Sequence, residues 1–137
     1  MGPYAYKFSG RTLVPASWTP EIEAVRVKIR EQYGDDYNSV LLNRYANQQD
    51  SVSWHSDDEA EMDSDHPIAS LSVGAAREFL VRPVTSKKEI QSYVLTSGSL
   101  LVMPPGFQQR YQHCVPKSRT PCATRVNLTF RRMKLAK

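Results

Sequence analysis

The chain has 137 residues, a formal net charge of +4 and 40% hydrophobic residues, which suits one globular domain with its own core rather than a disordered segment. No apolar run approaches the roughly 18–20 residues that span a bilayer, and MGPYAYKFSG lacks the charged-then-apolar pattern of a secretory signal, so no membrane partner and an intracellular home are expected. The positive charge favours polyanionic partners modestly, and two cysteines, Cys114 and Cys122, are too few for a disulfide framework and read as reduced thiols.

In chain order, YAYKFSGRTLVPASWTP alternates aromatic and polar residues and then breaks at Pro15 and Pro20, which predicts an extended strand or flap followed by a turn. TPEIEAVRVKIREQYG places Ile22, Val25 and Ile29 at helical spacing; Thr19 can cap this helix, Pro20 suits its first position and Gly34 can end it. After Asp36 the runs NSVLLNRYA, IASLSVGA, REFLVRP, EIQSYVLTSGSLLVM and ATRVNLTFRRM each suit a strand or a pair of strands, with Gly98, Gly106 and Pro104–Pro105 as punctuation. Many short strands with a single good helix point to a β-sandwich or a jelly-roll barrel.

The acidic stretch SVSWHSDDEAEMD carries the first chemical signal. In an extended segment residues i and i+2 point the same way, so His55 and Asp57 can reach one metal ion while Ser56 faces away. A non-haem iron(II) site takes two histidines and one carboxylate and leaves positions open. The remaining histidine would come from a distant strand. His66 sits in the same acidic loop just before Pro67, which leaves His113, in RYQHCVPKS, as the better candidate. An HxD pair alone is also what a solvated loop contains by chance. Near the end, RVNLTFR places Arg125, Asn127, Thr129 and Arg131 on one face of a strand, and an arginine fork is the natural partner for the distal carboxylate of a co-substrate such as 2-oxoglutarate.

Taken together, these motifs resemble those of the AlkB-type iron(II)- and 2-oxoglutarate-dependent dioxygenases. LLNRYANQQDSVSWHSDDE is similar to that family's NxY…HxDDE stretch, PIASLSVGAAREF to its PIxSxSxGxxRxF strand pair, and RVNLTFR to its closing motif, with GSLLVM before YQHCVP also in place. The order is right from about residue 4 to residue 133, and the DDE triplet is similar to that of the nucleic-acid demethylases. The resemblance implies a mainly β (α+β) fold, a double-stranded β-helix (jelly-roll) core with one flanking helix. Within a single domain, residues 1–18 would form part of a nucleotide-recognition lid, 19–34 the helix and 37–133 the core.

By the same resemblance His55, Asp57 and His113 are the Fe(II) ligands, and the open positions admit O2 and 2-oxoglutarate. Arg125 would pair with the distal carboxylate of 2-oxoglutarate, and Arg131 would contact its metal-proximal end or brace Asp57. Asn43 and Tyr45, at i and i+2 on one strand, would add hydrogen bonds to that molecule, with Asn127 beside them, although Tyr45 also suits simple core packing. Asp58 and Glu59 would sit at the mouth of the site. There the acid after the iron-ligating aspartate meets the exocyclic amine of the alkylated base, and a carboxylate favours a cationic base such as 1-methyladenine or 3-methylcytosine. Tyr4, Tyr6 and Phe8 would belong to the lid and stack on an unstacked base, or pack as a strand on the core. Trp54 reads as packing. Among the basic residues Arg77 and Arg110 are the first candidates for phosphate contacts.

The function implied is oxidative demethylation of N-alkylated bases in single-stranded DNA or RNA, with release of formaldehyde, succinate and CO2, by a monomer. Single strands are expected because the chain begins partway through the lid, and extruding a base from a duplex costs a few kcal/mol. Two rivals are a hydroxylase of the same fold acting on a protein or small molecule, and a non-catalytic nucleic-acid-binding module. The first predicts 2-oxoglutarate turnover indifferent to methylated oligonucleotides; the second predicts salt-dependent binding without iron.

Overall fold

The computed structural model describes residues 18–134 in full and the backbone of two short strands before them, β1 (Tyr6–Phe8) and β2 (Arg11–Leu13), which pair antiparallel. Tyr4, and the side chains of Tyr6 and Phe8, lie outside the described residues. Helix α1 (Pro20–Tyr33) begins where capping chemistry places it. The Thr19 hydroxyl accepts from the Ile22 N–H at 3.2 Å, and Gly34, at φ 82°, ends the helix by donating to the Arg30 carbonyl at 2.8 Å.

Eight further strands form two antiparallel sheets. The larger contains β3 (Ser39–Tyr45), β10 (Arg125–Arg131), β5 (Ile68–Gly74) and β8 (Leu100–Met103), in that order. The smaller contains β4 (Val52–His55), β9 (Tyr111–Val115), β6 (Arg77–Pro83) and β7 (Gln91–Leu95). From β3 to β10 the chain changes sheet at every step except the β6–β7 hairpin, the winding of a double-stranded β-helix. A four-residue helix, α2 (Phe107–Arg110), starts after Gly106 at φ 88° and leads directly into β9. No helix among the described residues is long and apolar enough to cross a membrane.

The larger sheet is covered on both faces, and its strands alternate between two environments. On the outer face Val40, Ala69, Leu128 and Phe130 pack with Ile29, and Trp18, Ile22 and Val25 complete the contact from α1 and its lead-in. The periodic apolar residues of the helix thus meet the even-numbered residues of β10. On the inner face the odd-numbered residues of β10 point at the smaller sheet. Met62, Ile68, Phe79, Val81, Met103 and Val115 belong to the second apolar cluster, which Tyr45 joins.

Gly74 marks a close approach that seats β10. Its φ is 98°, and a Cβ there would lie 2.4 Å from the Thr124 carbonyl oxygen, just before Arg125 pairs with Gly74 itself.

Candidate metal and co-substrate centre

Strands β4 and β9 pair with His55 directly opposite His113, so both imidazoles face the inner side, their ring centroids 4.3 Å apart. Asp57 follows two residues after β4 ends. Its Oδ1 lies 3.8 Å from Nε2 of His55 and its Oδ2 3.3 Å from Nε2 of His113. One ligand atom from each of the three residues lies within 4.8 Å of the others. The i, i+2 reading of the HxD pair and the choice of His113 over His66 therefore converge in space. His66 instead stands edge-on to the ring of Tyr37.

The chemistry of the donors suits a divalent metal. Nδ1 of His55 donates to the Ser53 carbonyl at 2.7 Å, so Nε2 is the ring nitrogen turned toward Asp57. Burial opposes the charge of Asp57, but the hydrogen bond and charge of His113, followed by the charges of His55 and Arg131, prevail and hold the carboxyl below its ordinary range. Asp57 is thus ionised, as a metal ligand requires. The His113 ring is stacked on Phe79 at 5.2 Å, which fixes its plane.

From β10, Arg125, Asn127 and Thr129 line the same cavity as this group, with Arg131 buried on the same face of the strand. Arg125 is 1% exposed, donates one bond from Nη2 to the Ser72 hydroxyl at 2.9 Å, and lies 5.0 Å over the Tyr45 ring. Among the described residues, its Nε and Nη1 are buried without a hydrogen-bond partner. Burial pulls its pKa down, Tyr45 pushes it up and Arg77 adds to the lowering; burial likewise raises the Tyr45 phenol, against Arg125 and Arg77. A buried guanidinium with two idle donors is costly unless an anion answers it, and a carboxylate matches that fork. The fit of an oxo-acid is therefore read from this chain's own unsatisfied atoms.

Asn127 is oriented by donating to the Ser70 hydroxyl at 2.5 Å and accepting from the Thr129 hydroxyl at 2.6 Å. Asn43, Tyr45, Arg125 and Asn127 line one cavity of about 390 Å³ together with His55, Asp57 and His113. Arg131, fully buried, donates from Nη1 to Oε1 of Glu59 at 3.3 Å and faces Sδ of Met62 at 3.5 Å. Its reach to Glu59 is a role the sequence did not indicate. Asp58 is exposed, whereas Glu59 is held, with Oε2 buried and unpartnered; both line the cavity.

Other expectations change. Arg77 is not a surface cation: it is 3% exposed and donates to the carbonyls of Asn47, Asp50 and Pro116, pinning two loops around β6. Arg110 is exposed on α2. Trp54 is half-buried with the Arg82 guanidinium 4.0 Å over its ring, a packing role. Both cysteines are free. Sequence reasoning missed two residues, Ser56 and Gln108. The Ser56 hydroxyl donates to the Tyr111 carbonyl, and Gln108 accepts from the Asp57 N–H. Both contacts join residues more than 50 positions apart, as the separations of 55 and 51 show, so no local pattern announces them.

A family model described as the 2OG-Fe(II) oxygenase superfamily matches residues 2–131. The chain is 41% identical over 135 residues to the DNA oxidative demethylase ALKBH2 of Mus musculus, covering 93% of this chain and 56% of that protein. It is 40% identical over 139 residues to the alpha-ketoglutarate-dependent dioxygenase alkB homolog 3 of Homo sapiens, covering 95% and 49% respectively. The chain spans about half the length of the curated relatives it matches. Its fold is similar to that in the structure of OsALKBH1, with a TM-score of 0.60 at 21% identity, over 88% of this chain and 66% of that one.

Proposed function

The chain belongs to the AlkB-type branch of the 2OG-Fe(II) oxygenase superfamily, and from that premise we propose that it oxidatively removes N-linked methyl groups from bases such as 1-methyladenine and 3-methylcytosine in single-stranded DNA or RNA. The observation that carries the reading is the pairing, in one cavity, of a His–Asp–His donor set with a buried arginine whose Nε and Nη1 lack partners.

His55, Asp57 and His113 would hold Fe(II), and Arg125 would take the distal carboxylate of 2-oxoglutarate, with Tyr45 beneath the guanidinium and Asn43 and Asn127 at its side. Iron held there would supply, with 2-oxoglutarate and O2, the oxidising chemistry for hydroxylation of the N-methyl carbon, whose products would be the freed base, formaldehyde, succinate and CO2.

The chain's own part is placement. Phe79, 6% exposed, and Met103, 4% exposed, wall the cavity beside His113 and keep water from the reacting carbon. We assign the contact with the exocyclic amine to Glu59 rather than Asp58, on the ion pair of Glu59 with buried Arg131. Arg131 holds Oε1 of Glu59, and its Oε2 is buried with no hydrogen-bond partner among the described residues, while the residue itself lines the cavity. A cationic base in the cavity answers the charge of that carboxylate, whereas an unmodified neutral base offers less. Single strands suit such a pocket because the base arrives already unstacked.

The test is mass spectrometry of single-stranded oligonucleotides carrying 1-methyladenine or 3-methylcytosine, incubated with Fe(II), O2 and 2-oxoglutarate. The expected result is loss of one CH2 unit, absent with Asp57→Ala. Succinate without that loss would assign the chain to hydroxylation of a protein or small molecule. Salt-dependent oligonucleotide binding with no succinate would make it a binding module.

A further inference from the structure

Asp57 is the donor that strand pairing does not hold. His55 is the last residue of β4 and the last in register with β9, and a register shift already separates it from Val52. Beyond it the backbone is fixed by side chains. The Asp57 N–H donates to Oε1 of Gln108 at 2.8 Å. Nε2 of the same carboxamide faces Sδ of Met103 at 3.4 Å, and Met103 is buried. The two contacts fix which way round the amide sits, because the backbone N–H requires the oxygen and the thioether is only an acceptor. A parallel tie joins the Ser56 hydroxyl to the Tyr111 carbonyl at 2.8 Å.

Both partners, Gln108 in α2 and Tyr111 at the head of β9, lie just upstream of His113. The segment that carries His55 and Asp57 is therefore stitched to the segment that carries the third donor by contacts independent of the ladder. The short helix gains a purpose from this. It turns Gln108 toward the loop while β9 resumes three residues later.

We infer that Gln108 is a positioning residue for Asp57, holding its carboxylate among the metal donors before any metal arrives; this rests on the reading of His55, Asp57 and His113 as that donor set. Donors fixed in advance lose less freedom on binding than donors on a loose loop. Gln108 is neutral and acts on the backbone of residue 57, so its removal changes where Asp57 sits without altering which groups can ligate.

The experiment is calorimetric titration of the full chain with Mn(II) alone, a divalent surrogate stable in air, for the wild type, Gln108→Leu, Gln108→Glu and Asp57→Ala, with a thermal melt of each metal-free protein. Gln108→Leu should weaken Mn(II) binding about ten- to a hundredfold, the range for removing an outer hydrogen-bond partner of a metal ligand, while still melting cooperatively. Gln108→Glu keeps an acceptor for the Asp57 N–H and should recover most of that loss. If Gln108→Leu does not fold, Gln108→Asn, whose amide is too short to reach, carries the same expectation. Wild-type affinity in Gln108→Leu, or a Glu variant as weak as the Leu variant, would overturn the inference. A wild type that binds Mn(II) no better than Asp57→Ala would overturn the metal reading itself, and this inference with it.

Discussion

Arg125→Met removes a cation that is 1% exposed and whose Nε and Nη1 have no hydrogen-bond partner among the described residues, and it acts with different sign on folding and on binding. In the ligand-free protein the substitution loses the bond to Ser72 and the contact over the Tyr45 ring. It also relieves the burial of an unanswered charge, a penalty of several kcal/mol on its own. These offset, so the melting temperature of the ligand-free variant should stay near that of the wild type, or rise. Binding of 2-oxoglutarate has no such compensation. Two charge-assisted hydrogen bonds at about 1.5–3 kcal/mol each amount to about 3–6 kcal/mol, roughly a hundredfold to ten-thousandfold in affinity. Succinate formation measured against 2-oxoglutarate concentration should show KM raised by at least the lower factor, with the ligand-free melt unchanged. A variant that unfolds, or one that keeps wild-type KM, would refute the assignment of Arg125 to the co-substrate.

Gly74→Ala should destabilise the fold by about 1–3 kcal/mol, the usual penalty for forcing a side chain into such a backbone conformation, because its Cβ would meet the Thr124 oxygen at 2.4 Å; denaturant titration measures this. Burial pushes the Tyr37 phenol from 10.0 up to about 12. Since the folded value is the higher one, the stability Tyr37 contributes is complete below the unfolded value and is lost as pH rises through the folded one. Denaturation at pH 10 to 12 should therefore show a shallower loss in Tyr37→Phe than in the wild type. Glu59→Gln should lower kcat/KM for a cationic base relative to a neutral alkylated base by about ten- to a hundredfold, the worth of one charged hydrogen bond. An unchanged ratio would remove Glu59 from base recognition.

Features with a short period along the chain were legible in the sequence. The helix showed its caps at Thr19 and Gly34 and its apolar stripe. The odd-numbered polar residues of β10 showed that one face of the last strand was chemical, even though every second neighbour was apolar. What remained hidden depends on contacts between distant segments. Arg77 looks like any other surface cation until the carbonyls of Asn47, Asp50 and Pro116 are seen to converge on it. Helix α2 is too short to show a period, and it begins at Gly106 in a glycine-proline stretch that reads as a turn. Gln108 and Ser56 carry no local mark of their attachment to the HxD segment. Glu59 and Asp58 are adjacent and chemically alike; only the reach of Arg131 to Glu59 separates their surroundings.

The central claim is that one cavity assembles metal and co-substrate side by side, and anaerobic absorption spectroscopy tests it most directly. When Fe(II) and 2-oxoglutarate are both added to the oxygen-free protein, the visible charge-transfer absorption of a 2-oxo acid chelated to Fe(II) should develop. It should need both components, be lost in Asp57→Ala, and require far more 2-oxoglutarate in Arg125→Met. Absence of that absorption in the wild type at saturating Fe(II) and 2-oxoglutarate would contradict the account.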